Sequence, residues 1–189
     1  MRIKDESVND VSWPVWTLEM TPSSGTSESY PLEVGVACWT APTASITTWS
    51  TPINPSATTD WPPPPQAYVD LAGMTMTQIG QGLAPEEIAR QLNDIFMAST
   101  VYGRGGTVDV HLANRLNLAA KVWPGYNLRT WRDICDRHPE RASGAWDIVR
   151  ASDGNAARKA AGTMRGIAHI LGYDPSCRSV PTMAVSLPI

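Results

Sequence analysis

Trp16-Thr17-Leu18-Glu19, followed after a short polar loop by Tyr30-Pro31-Leu32-Glu33-Val34-Gly35, decides how this chain reads. Val11 to Met20 is mostly apolar and holds two tryptophans, so it is expected as a buried strand that reaches a carboxylate at Glu19. Thr21 to Ser29 is rich in Ser, Thr, Gly and Pro and reads as a loop. Leu32 to Thr40 is a second strand. A turn at Ala41-Pro42-Thr43 leads to a third, Ser45 to Thr51. Three strands with short connections form an antiparallel meander.

Pro52 to Pro65 is expected to be irregular. Pro62 to Pro65 lack backbone donors and favour polyproline II, as a stiff connector or as a ligand for a proline-binding module. A helix starts at Pro85, where Glu86 and Glu87 complement its positive end and Ile88, Leu92, Ile95 and Phe96 share one face. Thr100-Val101-Tyr102 is a short strand, Gly103 to Gly106 a permissive loop, and Asp109 to Ala120 a second helix. Asn127 to Asp136 is a short strand or helix. The last helix runs from Ala156 to Leu171, with Ala157, Ala160, Ala161, Met164, Ile167, Ala168 and Leu171 as its buried stripe. Ser152 or Asp153 can cap its start, and Gly172 ends it. The expected class is α/β: a meander extended by parallel strands and flanked by helices. One domain over 1–172 and an irregular tail over 173–189 are expected.

A chain of 189 residues can bury a sizeable core without disulfides. Cys38, Cys135 and Cys177 lie far apart and form no CxxC pair, which argues against a disulfide framework and a zinc site; Cys177 is the most exposed of the three on this reading. No apolar run is long enough for a membrane span. The N-terminus, Met1-Arg2-Ile3-Lys4-Asp5-Glu6, lacks a secretory apolar stretch, so a cytoplasmic protein is expected. The net charge of −3 is uneven: residues 1–100 carry 3 Lys/Arg against 11 Asp/Glu, and residues 101–189 carry 12 against 7. A basic second half can present a face to phosphates, or simply a solvated helix surface.

The order of elements and several short motifs resemble the ribonuclease H-like fold of the DEDDh 3′–5′ exonucleases, from about Trp13 to Leu171. Pro31-Leu32-Glu33-Val34-Gly35 matches that family's second-strand pattern, and Leu71-Ala72-Gly73-Met74 is similar to its Ile-His-Gly-Ile segment without the His. The resemblance places Glu19 and Asp109 at acidic positions. The first motif, Asp-x-Glu, reads Thr17-Leu18-Glu19. The last, His-x-Ala-x-x-Asp-Ala, reads Asn155-Ala156-Ala157-Arg158-Lys159-Ala160-Ala161. A shifted alignment would bring Asp153 to the lost Asp position but would break the alanine match.

What the resemblance implies is a two-metal nuclease site with parts missing. In such sites one divalent ion generates the attacking hydroxide and the other stabilises the leaving oxygen. Magnesium prefers carboxylate, phosphate and water oxygens. Thr17 offers a neutral hydroxyl, Ala160 offers nothing, and the Asn155 amide cannot accept a proton near neutral pH. The expected residual metal ligands are Glu19 and Asp109. Arg104, Arg158, Lys159, Arg165 and Trp61 are the candidates for nucleic-acid or partner contact, with Trp123 and Trp146 as further exposed aromatics.

The leading reading is a non-catalytic exonuclease relative that binds nucleic acid or a nucleoprotein partner and requires no cofactor. The alternatives are a residual exonuclease using one Mg²⁺ or Mn²⁺ and a purely structural protein-interaction module. Net negative charge argues against strong sequence-independent duplex binding. His111, His138 and His169 lack ligand spacing, and the Gly103-Arg104-Gly105-Gly106 loop could cradle a phosphate through its amides. Nothing in the sequence sets the oligomeric state.

Overall fold

A computed structural model describes residues 11–180. The charged N-terminal hexapeptide and the last nine residues of the expected tail lie outside the described part. Strands β1 (Val15–Pro22), β2 (Pro31–Trp39) and β3 (Ile46–Pro52) form the expected antiparallel meander. Strand β4 (Thr100–Gly103) joins β1 in parallel, and β5 (Asn127–Thr130) joins β4 in parallel. A sixth strand, β6 (Cys177–Ser179), pairs in parallel with β3 at the opposite edge, giving the order β5-β4-β1-β2-β3-β6. Part of the stretch read as irregular tail is therefore a sheet edge. Its three residues carry no periodicity of their own and become a strand only through pairing with β3.

The helices are α1 (Gln66–Leu71), α2 (Met76–Gly80), α3 (Pro85–Phe96), α4 (Thr107–Ala119), α5 (Arg132–Cys135), α6 (Pro139–Arg150) and α7 (Ala156–Ile170). Asn127 to Asp136 is strand and then helix. The prolines over 62–65 lead directly into α1, and Pro55–Ala57 is a 3-10 turn within the segment expected to be irregular.

Alternation along β1 and β2 splits the core in two. Trp16, Leu18, Met20, Leu32, Val34 and Val36 face Ile88, Leu92 and Phe96 of α3 and Leu112 and Leu116 of α4. Val15, Ala37 and Trp39 face the other way, against Ala145 and Val149 of α6 and Ala160, Met164 and Ile167 of α7. Thr17, Glu19 and Glu33 share the parity of this second face, so the polar residues of both strands are buried beneath α7. Glu19 is paired in register with Gly35. A Cβ on Gly35 would lie 2.1 Å from the Ala156 carbonyl carbon, so the start of α7 rests on bare β2 backbone. Glu33 fixes that contact: its Oε2 accepts the Ala156 N–H at 2.8 Å.

Candidate functional site

β1 delivers Glu19 to its C-terminal end, and the first turn of α4 delivers Asp109. Both carboxylates are almost fully buried, at 4% and 3% exposure, and they are close enough for the charge of Asp109 to act on Glu19. Burial pushes both carboxyls well above the usual range, and the charge of Asp109 raises Glu19 further.

The donors that face this pair belong to the protein. Glu19 Oε1 accepts the backbone N–H of Arg104 at 2.9 Å and the hydroxyl of Thr163 at 2.8 Å. Asp109 Oδ2 accepts the backbone N–H of Gly105 at 2.6 Å. These two amides of the glycine-rich loop are therefore spent on the chain's own carboxylates rather than left for a phosphate. Gly103 is required for this packing, because a Cβ there would sit 2.5 Å from Asp109 Oδ2. The charge of Arg104 lowers both carboxyls, and that of Lys159 lowers Asp109 and Glu33.

The positions where the resemblance leads one to expect further metal and base chemistry each have another partner within the chain. The Thr17 hydroxyl donates to the Ala160 carbonyl at 2.9 Å, which stitches α7 onto β1. Asn155 caps α7, its Oδ1 accepting the Arg158 N–H at 3.0 Å. Asp153 lies 3.6 Å from the Arg104 guanidinium, as an ion-pair partner of that cation. Among the described residues no group of three or more His, Cys, Asp or Glu side chains is placed to hold a metal ion.

Of the sequence-predicted contact residues, Arg104 and Lys159 lie near enough for their charges to act on the carboxylates. Arg158 and Arg165 line a separate cleft on the outer side of α7. Trp61 was expected to be exposed and is not: it is 6% exposed and stacks on Tyr30, with centroids 4.6 Å apart. The Tyr30 hydroxyl in turn donates to the Pro62 carbonyl, which draws the proline segment and Trp61 onto the core. Trp123 is 92% exposed, as expected, whereas Trp146 packs edge-on against Trp131 under two arginines. His111 bonds the Ser29 carbonyl, His138 lies 3.8 Å from Glu140, and His169 is exposed on the last turn of α7. None of the three histidines is among the groups that shift Glu19 or Asp109. Thr163 was missed in the sequence. The one signal for it is a hydroxyl at a helix position next to the apolar stripe of α7.

No protein-family profile and no curated protein matches the chain in sequence. Solved structures do match in shape. The zinc-bound form of the Escherichia coli exonuclease I–single-stranded DNA complex superposes with a TM-score of 0.59 at 8% identity, over 85% of this chain and 39% of that one. A product-bound exonuclease I gives 0.63 at 9% identity, over 85% and 43%. A 3′-exonuclease that recognises the 3′ end of the histone mRNA stem-loop gives 0.62 at 10% identity, over 85% and 82%. This chain spans about two fifths of the length of exonuclease I. The mixed six-stranded sheet between two helical layers is thus the ribonuclease H-like fold that these exonucleases share.

Proposed function

We propose that this chain is a lapsed exonuclease: a nucleic-acid-binding protein, acting on a strand or a nucleoprotein partner, in which hydrolysis has been lost. The observation that carries the reading is the set of protein donors on Glu19 and Asp109. Two backbone amides and the Thr163 hydroxyl bond the pair, and the charges of Arg104 and Lys159 act where divalent cations would otherwise be needed. The donor set does not fit a two-ion centre. Among the described residues only two carboxylates converge, Thr17 is a neutral hydroxyl bonded to a carbonyl, and Ala160 has no donor side chain. The Asn155 amide is an α7 cap with no basicity to accept a proton from water. The exonuclease likeness and the basic second half of the chain support nucleic acid as the ligand.

A residual exonuclease is the second reading. It is favoured by one observation: Glu19 and Asp109 still meet at the end of β1. Incubation of labelled single-stranded DNA and RNA with Mg²⁺ or Mn²⁺ separates the two. The expected result is retention of the strand by the protein with no shortening from its 3′ end. Shortening that disappears in Glu19→Gln would establish the residual exonuclease instead.

A further inference from the structure

The outer side of α7 carries a second cationic feature that the carboxylate pair does not use. Asn155, Arg158, Ala161, Gly162 and Arg165 fall on one stripe of the helix and form one wall of a cleft of about 410 Å³. The opposite wall is the β3–β6 edge, including the exposed Ser179. Among the described residues no carboxylate lines this cleft. Among the described residues neither the Arg158 nor the Arg165 guanidinium has an ion-pair partner, whereas Arg104 and Arg150 both do. Two unpaired guanidinium groups facing a polar cleft without a counter-charge, in a chain of net charge −3, favour an anionic ligand. Between the two arginines the floor is formed by the small Ala161 side chain and by Ser152, which packs onto the bare backbone of Gly162.

We propose that this cleft holds the backbone of a single nucleic-acid strand, with Arg158 and Arg165 each taking a phosphate. The inference rests on the nucleic-acid reading above and names the surface that does the binding. Seven residues along a helix separate the two side-chain roots by about 10.5 Å of rise, more than the oxygens of one phosphate span. Two phosphates of one strand fit that separation, and a groove of this size suits a single strand rather than a duplex. The site is distinct from the carboxylate pair, because Arg104 and Lys159 act on Glu19, Asp109 and Glu33 instead.

The test is fluorescence anisotropy of a labelled oligothymidine of about a dozen nucleotides with the full chain, across a salt series. Arg158→Glu/Arg165→Glu is compared with the parent. Both residues are exposed, and a carboxylate in the first turn of α7 complements the helix dipole, so the variant should keep the parent's thermal midpoint. Arg158→Gln/Arg165→Gln serves as a second, charge-neutral pair. The expected result is at least about a tenfold loss of affinity in the Glu pair, a smaller loss in the Gln pair, and a salt slope shallower by about 1.4 for two lost phosphate contacts. Unchanged affinity and slope in both pairs, with the parent binding, would overturn this inference and leave the nucleic-acid reading intact. Displacement of the strand by inorganic phosphate at comparable affinity would replace it with a single-anion site. Absence of strand binding by the parent would overturn the nucleic-acid reading and this inference with it.

Discussion

Gly35→Ala is expected to destabilise the protein by about 3 kcal/mol or more. The sign is diagnostic. In an ordinary strand, replacing glycine by alanine is neutral or stabilising, because glycine loses more chain entropy and packs nothing. Here the new Cβ would lie 2.1 Å from the Ala156 carbonyl carbon and 2.4 Å from its oxygen. Those are backbone atoms at the start of a helix, and they cannot swing away as a flexible side chain can. Either α7 lifts or β2 distorts. Lifting α7 breaks the Glu33–Ala156 bond and strains both the Thr17–Ala160 and the Thr163–Glu19 bonds. Urea unfolding measures the loss. Stability equal to the parent's would mean that α7 does not rest on Gly35.

Glu19→Gln is expected to stabilise the protein at pH 8 by on the order of 2 kcal/mol and to leave it nearly unchanged at pH 5. Glu19 keeps its proton in the folded state to a higher pH than in the unfolded chain, because burial and then the charge of Asp109 disfavour its anion. Between its ordinary value of about 4.5 and its raised folded value, the native state binds more protons than the unfolded one. Stability contributed by this group is therefore fully present at low pH and falls as pH rises through neutrality. A glutamine has no proton to lose. Its carbonyl oxygen can still accept from the Arg104 amide and the Thr163 hydroxyl, so the packing is retained. Thermal midpoints from pH 5 to pH 8 check this. The parent should fall with pH more steeply than the variant, and parallel curves would mean that Glu19 is ionised throughout.

The meander was legible because its apolar runs are bounded by the turn-rich stretches Thr21 to Ser29 and Ala41-Pro42-Thr43, and Pro85 with two following glutamates announced α3. Helix α6 was not. Its inward stripe, Ala142, Ala145, Trp146 and Val149, is half alanine and so gives only a weak apolar signal. Gly144 within it lies against α7, where a Cβ would sit 2.7 Å from His169 Nε2, a neighbour that is not local in sequence. At the site, Glu19 and Asp109 were legible as carboxylates at element ends. Two of their partners, the amides of Arg104 and Gly105, are backbone and leave no side-chain signature. The third, Thr163, lies 144 residues from Glu19 in the chain. Trp61 was misread for the same reason: its neighbour Tyr30, just before β2, is far away in sequence.

Whether protein groups have taken the place of divalent ions at Glu19 and Asp109 is tested most directly by titrating the parent chain with Mn²⁺ at neutral pH and following free ion by electron paramagnetic resonance. No saturable binding below the order of 1 mM and no rise in thermal midpoint with added ion are expected. Uptake of a pair of ions at far lower concentration, abolished by Glu19→Gln, would contradict that replacement.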